Sequence, residues 1–215
     1  LYLKLAPGRS PEDYRIEAAV GPEHTDVQKT PNKHGDYVAP WPPRYMLRIE
    51  GKHGLVVRGL TFMHANNRMQ FAAVQCTQSR NVLLEDLTLR HNNGLALSVT
   101  KSEGVTVRRC VSEDNGGSGM SGWMVDNSVW RDCAVRRNNW RGDLGGWRVF
   151  AVAGIKVHYM HGMHVKNFVA EDNFADGFWI DLQNSGVIFE DNTITGNLRC
   201  GIFYEVSWGD AIFRN

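Results

Sequence analysis

The sequence predicts an all-β chain wound as a right-handed parallel β-helix, from two columns of recurring residues and the strand pattern between them. Phe71-Ala72-Ala73-Val74-Gln75-Cys76-Thr77-Gln78-Ser79 aligns without a gap on Gly94-Leu95-Ala96-Leu97-Ser98-Val99-Thr100-Lys101-Ser102, and further copies open at Gly119, Gly154, Gly177 and Gly201. Counted from Phe71, these starts lie 23, 25, 35, 23 and 24 residues apart. A second column, Asn92, Asn115, Asn138, Asn173 and Asn197, closes the copies at intervals of 23, 23, 35 and 24. Fixed periods of this length mark repeat architectures, and both columns place one insertion of about a dozen residues at the same point. Within each copy, β-branched and aromatic residues alternate with polar ones between Gly, Asn and Asp, the pattern of short strands and tight turns. Such a repeat has no room for a crossover helix, which leaves coils stacked directly on one another.

Residues 1–50 do not repeat. Leu1-Tyr2-Leu3-Lys4-Leu5 and Tyr14-Arg15-Ile16-Glu17-Ala18-Ala19-Val20 read as a strand pair around a Pro7-Gly8 turn, and the proline-rich stretch from Gly21 to Pro43 as a long loop over the solenoid. Residues 51–215 form the coils. In each coil the column asparagine tolerates left-handed backbone and can hydrogen-bond its stacked neighbour, a structural role. The insertion at 139–153 leaves the solenoid, carrying Trp140, Arg141, Asp143, Trp147 and Arg148. The closing Asp210-Ala211-Ile212-Phe213-Arg214-Asn215 resembles the opening of another copy, so the chain is expected to be truncated, with flanking coils or domains and any targeting segment outside it.

Composition narrows the partners. A net charge of +1 gives no reason to expect nucleic acid or an anionic membrane, and no apolar run is long enough to span a bilayer. Cys110 and Cys133 hold equivalent places in successive copies, where they would stack as small buried hydrophobes or, alternatively, form a disulfide. His161, His164 and Asp191 read as surface. No metal-ligand spacing stands out, and no cofactor is expected.

Chemistry concentrates in two copies, Gly177-Phe178-Trp179-Ile180-Asp181-Leu182 and Gly201-Ile202-Phe203-Tyr204-Glu205-Val206. Each acid follows its glycine by the same number of residues, so stacking puts the two carboxylates on neighbouring strands, about 4.8 Å apart at the backbone. Like charges side by side in a sheet destabilise it unless compensated or used. The period of two turns Phe178, Ile180, Leu182, Ile202, Tyr204 and Val206 inward, and Trp179, Asp181, Gln183, Phe203, Glu205 and Ser207 outward. Outward columns then read Ser121, Lys156, Trp179, Phe203 and Trp123, His158, Asp181, Glu205. Lys156 either neutralises the acids or touches substrate, and His158 either bonds Asp181 or touches substrate. Trp179 and Phe203 are either covered or stack on a sugar face. Trp208, and Trp147 and Arg148 from the insertion as a cleft wall, complete the candidate substrate contacts.

The two acidic motifs and their spacing resemble the catalytic coils of right-handed β-helix glycoside hydrolases, most closely the family 120 β-xylosidases, on the pectate-lyase-like fold. The resemblance implies a retaining glycosidase acting on a substrate such as a xylo-oligosaccharide, extracellular or periplasmic, with Asp181 as nucleophile and Glu205 as acid/base. That chemistry needs carboxyl groups about 5–5.5 Å apart. The alternatives on the same residues are a polysaccharide lyase or uronate epimerase with Lys156 or His158 as base and Arg or Ca²⁺ as charge neutraliser, and a non-catalytic carbohydrate-binding β-helix stacking Trp123, Trp179 and Phe203 on sugar rings.

Overall fold

A computed structural model describes residues 45–67, 70–141 and 152–214. The strand pair and loop expected in residues 1–44, and most of the insertion with Asp143, Trp147 and Arg148, lie outside the described residues. Twenty strands, β1 to β20 in chain order, lie in three parallel sheets, and no helix occurs among the described residues. The first sheet stacks β1 (Leu47–Glu50), β4 (Ala72–Thr77), β7 (Leu95–Glu103), β10 (Met120–Asp126), β13 (Ala153–His161), β16 (Asp176–Ile180) and β19 (Ile202–Tyr204). The second stacks β2 (Val56–Arg58), β5 (Leu83–Glu85), β8 (Thr106–Arg108), β11 (Val129–Arg131), β14 (His164–Lys166), β17 (Val187–Glu190) and β20 (Ala211–Arg214). The third holds β3 (Thr61–Met63), β6 (Thr88–Arg90), β9 (Val111–Glu113), β12 (Ala134–Arg136), β15 (Val169–Glu171) and β18 (Thr193–Thr195).

Every third strand pairs with its counterpart one coil on, so equivalent residues stack. Val74, Leu97, Met120, Ile155 and Phe178 form one inward file of the first sheet. Leu84, Val107, Trp130, Val165 and Phe189 form that of the second. These files are buried and meet at the axis; Phe178, for example, packs edge-on against Phe189 with centroids 4.6 Å apart. Three sheets closing on one apolar axis explain why short strands such as β8, β9, β11, β14 and β15 bury only their central residue.

The asparagine column is a continuous hydrogen-bonded ladder at the corner before the first sheet. Asn92 Nδ2 donates to Asn115 Oδ1 at 2.9 Å, Asn115 to Asn138 at 2.8 Å, Asn138 to Asn173 at 3.1 Å and Asn173 to Asn197 at 2.8 Å. Each Oδ1 also accepts the backbone N–H of the preceding asparagine, so a buried corner is satisfied coil by coil. The left-handed backbone expected at these asparagines sits one residue earlier, at His91, Asp114, Arg137, Asp172 and Gly196. The asparagine itself is extended inward because its amide must reach the next coil. The glycine column serves this ladder: a Cβ on Gly154 would stand 2.7 Å from Asn173 Nδ2 and 2.7 Å from the Gly177 carbonyl, so glycine is needed for space.

Cys110 and Cys133 are stacked, buried and free, which decides against the disulfide alternative. The Cys110 N–H approaches Cys133 Sγ at 3.4 Å, the place that Asn192 Oδ1 takes for Phe168 two coils later.

Candidate active site

Strands β13, β16 and β19 carry the acids and their neighbours in register. Lys156 pairs with Trp179 and Trp179 with Phe203; on the preceding coils Ser98 pairs with Ser121 and Ser121 with Lys156. The second outward column runs Thr100, Trp123, His158. Asp181 and Glu205 each stand one residue past the end of their strand, yet the ladder still holds them: the Asp181 amide donates to the Val157 carbonyl and the Glu205 amide to the Ile180 carbonyl, both at 2.9 Å.

Directly after the acids the alternation breaks. Leu182, Gln183 and Val206 have positive φ of 51°, 53° and 42°. Leu182, expected in the core, lines the groove beside Asp181, and Val206, also expected inward, is exposed. Gln183 is exposed and does not line the groove. A left-handed β-branched valine is a true outlier, and such strain, of order 1–3 kcal/mol, concentrates at functional sites.

Asp181, Glu205, Lys156, His158, Trp179 and Trp123 line one groove of 480 Å³. Lys156 Nζ lies 2.9 Å from Asp181 Oδ2, and both side chains are close to buried, at 10% and 12% exposed. The same ammonium sits 3.4 Å from the centroid of the Trp179 indole. Trp179 Nε1 donates to Glu205 Oε1 at 3.1 Å. The indole is only 3% exposed, because Lys156, Phe203 with its centroid 5.4 Å away, and Arg199 at 5.6 Å cover it. Arg199 is in turn 3.3 Å from the buried Asp176. Trp179 therefore offers no open face for a sugar; it links the cation that holds Asp181 to Glu205. The two acids consequently have different surroundings, one paired with an ammonium and the other accepting from a neutral N–H.

His158 Nδ1 is buried without a hydrogen-bond partner, and its ring is tilted at 6.4 Å against Trp123. Burial, with Lys156 adding to it and Asp181 opposing, pushes the imidazole down to about 4 from an ordinary value of 6.5. His158 is thus an uncharged base at neutral pH. Because the unfolded chain binds this proton first, His158 lowers stability as pH falls from about 6.5 to about 4 and has no effect above that window. In urea unfolding at pH 7 and pH 4.5, the native chain should lose roughly 2 kcal/mol more than His158→Gln, which cannot titrate; equal losses would show that His158 protonates freely in the fold.

Of the remaining expected contacts, Phe203 packs on Trp179 without lining the groove, and Trp208 is 62% exposed outside it. Trp140 and Arg141, the described start of the insertion, turn toward earlier coils. Trp140 Nε1 bonds the Asp114 carbonyl at 3.0 Å, and Arg141 reaches Asn93 Oδ1 at 2.7 Å. Sequence reasoning missed Gln70, Ser98, Thr100 and Ser118 in the groove wall and floor. Ser98 and Thr100 were accessible by extending the Ser121 and Trp123 columns one coil back, whereas Gln70 and Ser118 sit at corners where period two says nothing. Among the described residues no three His, Cys, Asp or Glu side chains converge to hold a metal ion, and no helix is long and apolar enough to cross a membrane.

The family model of the right handed beta helix region matches residues 72–215. No curated protein matches the chain in sequence. Among solved structures, the chain is similar to the periplasmic alginate epimerase AlgG at 14% identity and a TM-score of 0.55, over 79% of this chain and 46% of that one. The A-module of the Azotobacter vinelandii mannuronan C-5 epimerase AlgE6 aligns at 13% identity with a TM-score of 0.41, over 78% of this chain and 56% of that one. At these identities the likeness is one of fold, and the chain spans about half the length of AlgG.

Proposed function

The chain belongs to the right-handed beta-helix family, and on that scaffold we propose that it is a carbohydrate-active enzyme, a retaining glycoside hydrolase. The observation that carries this reading is the placing of Asp181 and Glu205 at equivalent ends of adjacent strands, in one groove, with unlike partners. Adjacent strands set the two backbones about 4.8 Å apart, in the range that suits a nucleophile and an acid/base rather than the wider gap that admits a water for inversion. Two carboxylates in unlike environments can take unlike roles.

In this mechanism Asp181, oriented by Lys156, attacks the anomeric carbon. Glu205, oriented by the Trp179 N–H, gives its proton to the leaving oxygen as the glycosidic bond breaks. Glu205 then takes a proton from water, whose oxygen displaces Asp181 from the sugar, so two inversions give net retention. Resemblance to the β-xylosidases makes xylo-oligosaccharide the first substrate to try, and the AlgG likeness fits action outside the cytoplasm. The test is hydrolysis of aryl xylosides and glucosides with the first-formed anomer read by proton NMR: a retained anomer supports the reading and an inverted one overturns it.

A second reading rests on His158, which lines the groove and is uncharged at neutral pH, so that its imidazole could abstract a proton next to a uronate carboxyl in a lyase or epimerase reaction. Incubation with polyuronate, with and without Ca²⁺, tests it through unsaturated product or altered uronate configuration.

A further inference from the structure

We infer that the acids stand at one end of a groove built for an uncharged oligosaccharide, which lies along the coils over β4, β7 and β10 with its cleaved bond at β16 and β19. This rests on the glycosidase reading for what happens at the acids, but the groove itself is argued from different residues. A second hollow of 350 Å³, over β1, β4 and β7, adjoins the groove at the acids and shares Gln70, Ser98, Thr100 and Trp123 with it. The two form one trough along the outer face of the first sheet. With strands about 4.8 Å apart, the five steps from β4 to β19 cover roughly 24 Å, the length of about five pyranose rings.

The floor changes character along this line. On β13, β16 and β19 it is Lys156, His158, Trp179 and the two acids. On β4, β7 and β10 the same two columns hold Gln75, Ser98 and Ser121, then Thr77, Thr100 and Trp123. These hydroxyls and the amide already bond one another: Ser121 Oγ to Ser98 Oγ at 3.0 Å, Gln75 Nε2 to Thr100 Oγ1 at 3.0 Å and Thr100 Oγ1 to Thr77 Oγ1 at 2.9 Å. Each hydroxyl has one donor and two acceptor sites, so the chain leaves lone pairs facing the trough, suited to sugar hydroxyls that both give and accept. Trp123, half-buried at the junction of the two hollows, adds an apolar surface for the C–H face of a ring, with Lys101 Nζ 5.1 Å from its centroid. A uronate chain would bring one carboxylate per ring onto this neutral floor and toward two acids. The cations nearest those acids and the far end are already matched, Lys156 to Asp181 and Arg48 to Glu50, which leaves Lys101, set over the Trp123 ring, as one cation against a carboxylate on every ring. Desolvating unpaired carboxylates there is unfavourable.

The test is binding, so it does not depend on turnover. The full chain carrying Glu205→Gln, which leaves the Lys156–Asp181 pair in place, is titrated with xylo-, gluco- and manno-oligosaccharides from disaccharide to hexasaccharide, and with oligogalacturonates and oligomannuronates of the same lengths, reading tryptophan fluorescence. Affinity for at least one neutral series should tighten by about 10-fold or more up to the pentasaccharide and then level off, with no gain in the uronate series. Gln75→Ala, or Thr100→Ala if that chain melts early, should flatten the length dependence. Affinity that is flat in every neutral series, or that rises with length only for uronates, overturns the proposal. Retaining hydrolysis with flat affinity would leave the reaction standing and remove the groove, whereas length-dependent neutral binding in a chain that hydrolyses nothing would do the reverse.

Discussion

Asp181→Asn should abolish turnover, with kcat down by at least about 10³-fold on aryl glycosides and no covalent glycosyl-enzyme trapped by 2-fluoro sugars. The amide keeps the shape of the carboxylate and its hold on the Val157 carbonyl, which comes from the main chain. It cannot act as a nucleophile. It also leaves Lys156, a tenth exposed, without its counter-charge, and stranding one member of a buried pair costs roughly 3 kcal/mol or more. The variant should therefore melt earlier while keeping β-type circular dichroism, and activity must be read well below that melt. The double variant Lys156→Met with Asp181→Asn should recover much of the stability and none of the activity. Full turnover in a folded Asp181→Asn chain would show that the stacked acids do other work.

Glu205→Ala should divide the reaction in two. With a dinitrophenyl leaving group, which departs without protonation, the first step should stay within about 10-fold of native, while release of the sugar slows by roughly 10²–10⁴-fold for want of a general base. A burst of phenol followed by a slow steady state is the expected trace. Azide, small enough for the space the side chain vacates, should restore turnover and give a glycosyl azide of retained configuration. Loss of both steps to the same degree, with no rescue, would place Glu205 in binding and not in proton transfer. The Trp179 N–H loses its acceptor in this variant, so a stability loss of about 1–3 kcal/mol should accompany it.

Much of this was legible because stacking copies sequence into space. The asparagine ladder and the columns ending at Trp179 and Phe203 follow from the intervals and a period of two, and strand registers reproduce them. What was not legible lies where backbone leaves the strand. Leu182 and Val206 turn left-handed without the Gly or Asn that signals such a turn, so their side chains go where alternation forbids. The burial of Trp179 depends on Arg199, which comes from the corner before the next coil and is steered by Asp176. No spacing rule connects those residues. Nor does sequence say that His91, Asp114 and Arg137, rather than the asparagines after them, take up the left-handed corner, since none of the three is a residue that the bend demands.

The insertion between β12 and β13 has a consequence for how the chain folds. Among the described residues each sheet strand pairs only with its counterparts one coil away, so structure can spread by adding coils to an existing stack, each addition closing one loop. Most additions close 23 to 25 residues, and this one closes 35. Loop-closure entropy grows only with the logarithm of length, so the longer loop adds about 0.4 kcal/mol to that step. Propagation crosses this seam almost as readily as any other. A connection of different length between these two strands would thus come at little kinetic cost to the coils on either side.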